Sequence, residues 1–286
     1  MTSRLAAAAI LFALTNAWPT VAQTPTFSAR TEVVRVDVLV TEKGQPVTGL
    51  RAADFQVLDN GVPQEVDLAS FEQIPLNLVL VLDMSDSVAG ERLEHLQLAG
   101  RALLEVLKPD DQAALITFSH VVTLGSSLTR DVGRVGTALS QAEPAGETAL
   151  VDASYAGMML GESDVGRALV IVFSDGLDTS SWLSPDAVLE AAKRTDAVVY
   201  SVSVSGPKAT FLRELTELTG GSLFEIESMK DLRAVFLGIL DEFRHRYLVS
   251  YSPRGVSPGG WHRIDVRVKS RGMAVKARPG YLAGSP

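Results

Sequence analysis

The chain contains no cysteine. Disulfide frameworks, zinc-thiolate centres, thiol nucleophiles and lipid attachment at cysteine are therefore excluded, and any metal must be held by oxygen or imidazole. A cationic surplus is also missing: 26 Lys and Arg stand against 34 Asp and Glu, for a net charge of −8. Nucleic acid and anionic membrane surfaces are bound through clustered Lys and Arg, so this balance disfavours both. The sequence shows no Gly-x-Ser-x-Gly elbow between a strand and a helix, since its Gly-x-Ser-x-Gly match, Gly255 to Gly259, lies in a Pro-containing turn between two β segments. It also shows no Gly-x-x-x-x-Gly-Lys phosphate loop and no Gly-x-Gly-x-x-Gly after a strand. Sustained repeats and low-complexity stretches are absent as well.

With 46% hydrophobic and 21% charged residues, the 286-residue chain has the composition of a globular protein able to bury a substantial core. The first residues, "MTSRLAAAAILFALTNAWPTVAQ", carry one cation at Arg4, an apolar run from Leu5 to Leu14, and small residues at Thr20 and Ala22. This pattern predicts a secretory signal peptide over residues 1–22, cleaved near Ala22, and an exported mature chain, periplasmic or secreted. The apolar run falls short of the roughly 20 residues that span a bilayer, so no integral membrane span is expected in the mature chain. Loss of Arg4 makes that chain one unit more negative.

Beyond a polar linker, "RTEVVRVDVLVTEKGQPV" alternates apolar and polar residues before a Lys-Gly turn. "DFQVLDNGVPQEVDLASF" then sets Asn60-Gly61 between two short runs, and "YLVSYSP", "HRIDVRVKS" and "MAVKARPGYL" repeat the style near the other end. Such patterns predict antiparallel strands and hairpins. Residues 27–75 and 247–283 are accordingly read as two parts of one small, discontinuous antiparallel β domain. Between them, over residues 76–246, apolar strands alternate with amphipathic helix-length segments. The strands are "LNLVLVLD", "QAALITFS", "ALVIVFSDG", "AVVYSVSVS" and a short "SLFEI". The predicted class is α/β, with a doubly wound, mostly parallel sheet covered on both faces.

In such sheets the ligand site lies outside the carboxyl ends of the strands, where the winding reverses. "VLVLDMSDSVAG", Val79 to Gly90, ends a core strand with two aspartates and two serines in five positions. Asp83, Ser85 and Ser87 alternate at spacing two, which in an extended loop turns oxygen ligands towards one point. Carboxylate and hydroxyl oxygens suit a hard divalent cation such as Mg²⁺ or Mn²⁺. The competing reading is that Asp and Ser merely form turns and that Ser87 caps the helix starting near Glu91. "SDG" at Ser174 to Gly176 follows a later strand in the same manner.

Taken together, "DMSDS", "GETALVDA" at Gly146 to Ala153 and "VIVFSDGLD" at Val170 to Asp178 resemble the von Willebrand factor A domain with its metal-ion-dependent adhesion site. The resemblance covers about residues 76–246, and the flanking β segments are similar to those of exported bacterial, acidobacterial-type relatives. It implies Asp83, Ser85 and Ser87 in the first metal loop, Thr148 in the second and Asp175 in the third. It also implies Mg²⁺, or Mn²⁺ or Ca²⁺, as cofactor, and a protein partner that donates an acidic residue to the metal. Coupling of the ligation state to a shift of the last helix is a further implication. Asp86 is expected to face away from the ligands, Asp152 to cap a helix or bond a backbone amide, and Asp178 to sit on the rim.

Two other functions compete with metal-mediated adhesion. A metal-dependent hydrolase or phosphatase could use Asp83 and Asp175, but would want more carboxylates and a Lys or Arg for phosphate. His95, His120, His245 and His262 occupy positions typical of surface or hydrogen-bonded residues, so no serine hydrolase is expected. The third alternative is a structural envelope scaffold. The expectation is a binding module that is not an enzyme.

Overall fold

The computed structural model describes residues 33–70, 74–162, 166–204 and 210–284. The expected signal peptide and the linker after it lie outside the described residues. Along the chain come β1 (Val34–Glu42), β2 (Gln45–Pro46), β3 (Phe55–Asp59), β4 (Val62–Gln64) and β5 (Leu68–Ser70). The α/β part contains β6 (Leu76–Asp83), α1 (Glu91–Glu105), β7 (Gln112–Phe118), β8 (Val122–Thr129), α2 (Val132–Ser140) and α3 (Leu150–Gly161). It continues with β9 (Arg167–Ser174), α4 (Pro185–Ala192), β10 (Val198–Val204), α5 (Thr210–Thr219), β11 (Leu223–Ile226) and α6 (Leu232–Arg244). The chain closes on β12 (Tyr247–Tyr251), β13 (Gly260–Val268), β14 (Ala274–Lys276) and β15 (Gly280–Ala283).

The central sheet has the order β11-β10-β9-β6-β7-β8 and is parallel except for β8. Every residue of β6 is buried, as a strand covered on both faces requires. Leu78, Leu80 and Leu82 face a core shared with α1, α2 and α6, while Val79 and Val81 face one shared with α3, α4 and α5. From β6 the chain first winds to β7 on one side and later returns to β9 on the other. The carboxyl end of β6 is therefore the switch point of the sheet.

Strands from the two ends of the chain interleave in two antiparallel sheets, β14-β1-β12-β5 with β2 beside β1, and β15-β13-β3-β4. Val36, Val38, Val57, Tyr247, Val249 and Tyr251 belong to one core between them. The turn at Asn60-Gly61 has φ of 48° and 83°, the left-handed pair that matches the twist of a two-residue hairpin. All these sheets lie within one compact unit, Glu32–Pro286. The flanks are fastened to the α/β part by buried arginines. Arg167 Nε donates to Asp37 Oδ1 at 2.7 Å, and Arg278 donates to the carbonyls of Thr195 and Lys193 at 2.8 and 2.9 Å.

Between β7 and α3 the sequence pattern shows nothing regular, yet β8 and α2 form there. In β8, "VTLGSSLT", Gly125, Ser126 and Ser127 break the alternation, and the pairing with β7 contains register shifts. In α2, Gly133 and Gly136 lower helix propensity. Asp131 supplies the start by accepting from the Arg134 amide at 3.2 Å.

Candidate metal centre

Asp83 is the last residue of β6 and is wholly buried. The peptide after it is held on both sides, with Met84 N–H donating to Phe118 O at 2.6 Å and Met84 O accepting from Ala145 N at 2.8 Å. These bonds fix where the first loop leaves the sheet. The loop turns through a short 3-10 segment, Asp86–Val88, before α1 starts after Gly90. Gly90 is thus the residue preceding α1, and Ser87 has another task.

The Ser87 hydroxyl donates to Asp175 Oδ1 at 2.6 Å and lies 3.0 Å from the Ser85 hydroxyl. Asp83 Oδ1 accepts from the Ser85 amide at 2.8 Å, and Asp83 Oδ2 accepts from the Ser174 hydroxyl at 2.7 Å. The structure therefore joins Asp83, Ser85, Ser87 and Asp175 in one hydrogen-bonded run. Thr148 is buried against the third loop, since a Cβ added at Gly176 would lie 3.7 Å from its Oγ1. Its backbone is pinned from that loop as well: Thr148 N–H donates to Thr179 Oγ1 at 3.0 Å, and Thr148 O accepts from the Thr179 amide at 2.8 Å.

The neighbouring aspartates act on backbone. Asp86 Oδ1 accepts from the Gly146 amide at 2.9 Å, while Asp86 N–H donates to Gly146 O at 3.1 Å. Gly146 has φ 72°, and a Cβ there would come within 2.4 Å of His120 Nδ1, so any other residue would strain the backbone and displace the His120 ring. Asp152 accepts from the amides of Trp182 and Leu183, both at 2.9 Å. Asp178, expected to be a rim residue, accepts from the Val151 amide at 3.1 Å and from the Ser181 hydroxyl at 2.5 Å. It thereby serves the otherwise unpaired first turn of α3.

Two participants escape sequence inspection. Ser174 binds the buried carboxylate from the residue before Asp175. Arg92, in the first turn of α1, donates to Asp175 Oδ2 and, at 3.3 Å, to Ser87 O. The available signal for Arg92 was a cation where the helix dipole favours acids.

The donor chemistry fits a hard cation. Among the described residues no salt bridge reaches Asp83, although buried charges are normally paired or metal-bound. Burial pushes the Asp83 carboxyl above its usual value; bonds from Ser85 and Ser174 oppose that shift, and nearby Asp175 adds to it. Among the described residues no cluster of three or more His, Asp or Glu forms a site of the carboxylate-rich kind. Asp83, Ser85, Ser87, Thr148 and Asp175 together offer oxygen only.

A six-stranded, mostly parallel sheet with a loop cluster at its switch point defines a doubly wound α/β fold. Residues 78–178 match the family model of the von Willebrand factor type A domain, so the chain carries such a domain. An uncharacterized protein of Synechocystis is 30% identical over 97 residues, which is 33% of this chain and 22% of that protein. The chain thus corresponds to less than a quarter of that relative. Proximal thread matrix protein 1 from the mussel byssus, in a structure described as having a zinc-occupied MIDAS motif, is similar at TM-score 0.54 and 16% identity over 63% of this chain and 48% of that one. The vWF domain of the type V pilus tip protein Mfa5 from Porphyromonas gingivalis is similar at TM-score 0.50 and 13% identity, over 59% and 94% of the two chains. At such identities the likeness shows the fold.

Proposed function

We propose that the protein is an exported, non-enzymatic binding module that captures an acidic residue of another protein through a divalent cation. The cation, Mg²⁺ or a similar ion, is held by Asp83, Ser85, Ser87, Thr148 and Asp175. The observation that carries this reading is a buried Asp83 that no salt bridge reaches among the described residues, joined with Ser85, Ser87 and Asp175 in one hydrogen-bonded run. A bound divalent cation supplies positive charge and open coordination positions for an outside carboxylate. Neutral hydroxyls in the donor set leave more of that charge uncompensated than carboxylates do. The zinc-occupied motif described for the mussel protein supports metal at this place in the fold. Export rests on the leader-like pattern around Arg4 and Leu5 to Leu14.

The rim favours a protein partner over a small anion. Leu177 and Trp182 are 60% and 94% exposed, and the Trp182 backbone is held by Asp152. Rigidly presented aromatic side chains are the usual anchors of protein interfaces. A groove of about 460 Å³, lined by His120, Val121, Tyr155 and Trp182 among others, adjoins Ala149, the neighbour of Thr148.

Arg92 gives the hydrolase alternative the cation that the loop sequences lacked, which keeps metal-dependent phosphoester hydrolysis as the second reading. Calorimetric titration with Mg²⁺ and Mn²⁺ tests the first: binding is expected, and its loss is expected in Asp83→Ala. A protein that binds neither ion at millimolar concentration removes the proposal. Turnover of a phosphoester panel with Mn²⁺, abolished in Asp175→Ala, would favour hydrolysis. A pull-down from an envelope fraction with and without EDTA identifies the partner.

A further inference from the structure

Arg92 is the one charged residue of the centre whose sign opposes metal binding. It follows Glu91 and precedes Glu94 in the first turn of α1, where the helix dipole disfavours a cation. Its side chain is 47% exposed, whereas that of Asp175 is fully buried. The guanidinium nevertheless turns inward to Asp175 Oδ2 and Ser87 O. Both Asp175 oxygens are thereby engaged, Oδ1 by Ser87 and Oδ2 by Arg92.

We propose that Arg92 sets the charge of the metal centre, weakening its hold on the cation and strengthening its pull on the partner's carboxylate. The inference rests on the metal-capture reading given above. Two carboxylates, Asp83 and Asp175, balance a divalent cation and leave nothing over. With Arg92 counted, one positive charge remains, and it lies at the open, partner-facing side because Arg92 is half exposed. The same charge repels the incoming cation, so the two affinities move in opposite directions when Arg92 is neutralised. A residue that only held Asp175 in place would move them together.

The test measures two affinities on the full mature chain. Free Mn²⁺ counted by electron paramagnetic resonance gives metal affinity, and water-proton relaxation of the Mn²⁺-saturated protein during titration with acetate gives carboxylate affinity. Arg92→Gln is expected to bind Mn²⁺ about three- to tenfold more tightly and acetate about three- to tenfold more weakly, by loss of one nearby unit charge. Arg92→Lys should stay near wild type, and Arg92→Met should repeat the Gln result. Weakened Mn²⁺ binding in the Gln and Met variants, or no change in either affinity, overturns the role of Arg92 while leaving the metal site standing. A wild-type protein that binds no Mn²⁺ overturns the site and the role of Arg92 with it.

Discussion

Asp86 and Gly146, sixty positions apart, bind each other twice: the Gly146 amide donates to the Asp86 carboxylate, and the Asp86 amide donates to the Gly146 carbonyl. The pair locks the first loop of the centre to the second. Asp86 sits between Ser85 and Ser87, and the 3-10 turn over Asp86–Val88, in place of the expected extended loop, brings the two serine hydroxyls to 3.0 Å while the Asp86 carboxylate turns to the loop that carries Thr148.

Asp86→Ala is therefore expected to weaken Mg²⁺ affinity by about tenfold without removing a ligand, the usual cost of losing a group that positions ligands. Asp86→Asn keeps an oxygen for the Gly146 amide and should stay within about threefold of wild type. Calorimetry on both variants decides. If the Asn variant binds as poorly as the Ala variant, the carboxylate charge matters and the loop lock does not.

Metal should also stabilise the fold. A ligand that binds only the native state at one hundred times its Kd adds about 2.7 kcal/mol, worth roughly 5 to 10 °C in Tm for a domain of this size. Scanning calorimetry with and without excess Mg²⁺ should show that rise in wild type and none in Asp83→Ala. An equal rise in both would place the bound ion elsewhere.

The same carboxylate makes binding sensitive to acid. Burial raises the Asp83 pKa above its ordinary value of 3.8, so protons compete with metal at higher pH than at an exposed aspartate. In the metal-free protein the native state then holds the extra proton, and Asp83 contributes stability that increases as pH falls through its raised pKa towards 3.8. Apparent Mg²⁺ affinity runs the opposite way, falling over that window. Affinity measured from pH 7.5 down to 4.5 in wild type and in Asp175→Asn, which lowers the carboxylate count but keeps Asp83, should decline in both. A flat profile in wild type would mean that Asp83 is not a ligand.

Much of this centre was legible in one dimension. The run "VLVLD" states a core strand ending in a charge, and "MSDS" and "FSDG" repeat the pattern of polar residues at a strand end. Thr148 was reached only through resemblance, because one hydroxyl in a loop carries no signal of its own. Asp178 and Arg92 were not legible at all in their roles. Asp178 serves the Val151 amide, and Arg92 reaches a residue 83 positions away, and contacts of that range depend on which strands become neighbours. The segment over β8 and α2 hid for a different reason: its glycines and serines suit a loop, and the edge of the sheet and the Asp131 cap impose order that local propensity does not.

The attachment of the flanking strands to the α/β part is the most stringent test of the fold. The Asp37 and Arg167 side chains are 8% and 5% exposed and bind each other, with the Arg167 guanidinium 4.6 Å from the centre of the Phe243 ring. Asp37 comes from β1 and Arg167 opens β9, so one ion pair joins an antiparallel flank to the parallel sheet. Removing one partner strands a buried charge, which costs about 3 to 5 kcal/mol, whereas replacing both with apolar groups of similar size is often close to neutral. Asp37→Ala is thus expected to lose about that much in urea unfolding, and Asp37→Leu with Arg167→Met to recover most of it. Recovery would identify the pair as a specific fastener between the two parts and not a source of net stability. If Asp37→Ala stays within about 1 kcal/mol of wild type, well below the cost of an uncompensated buried charge, the flank does not depend on this contact.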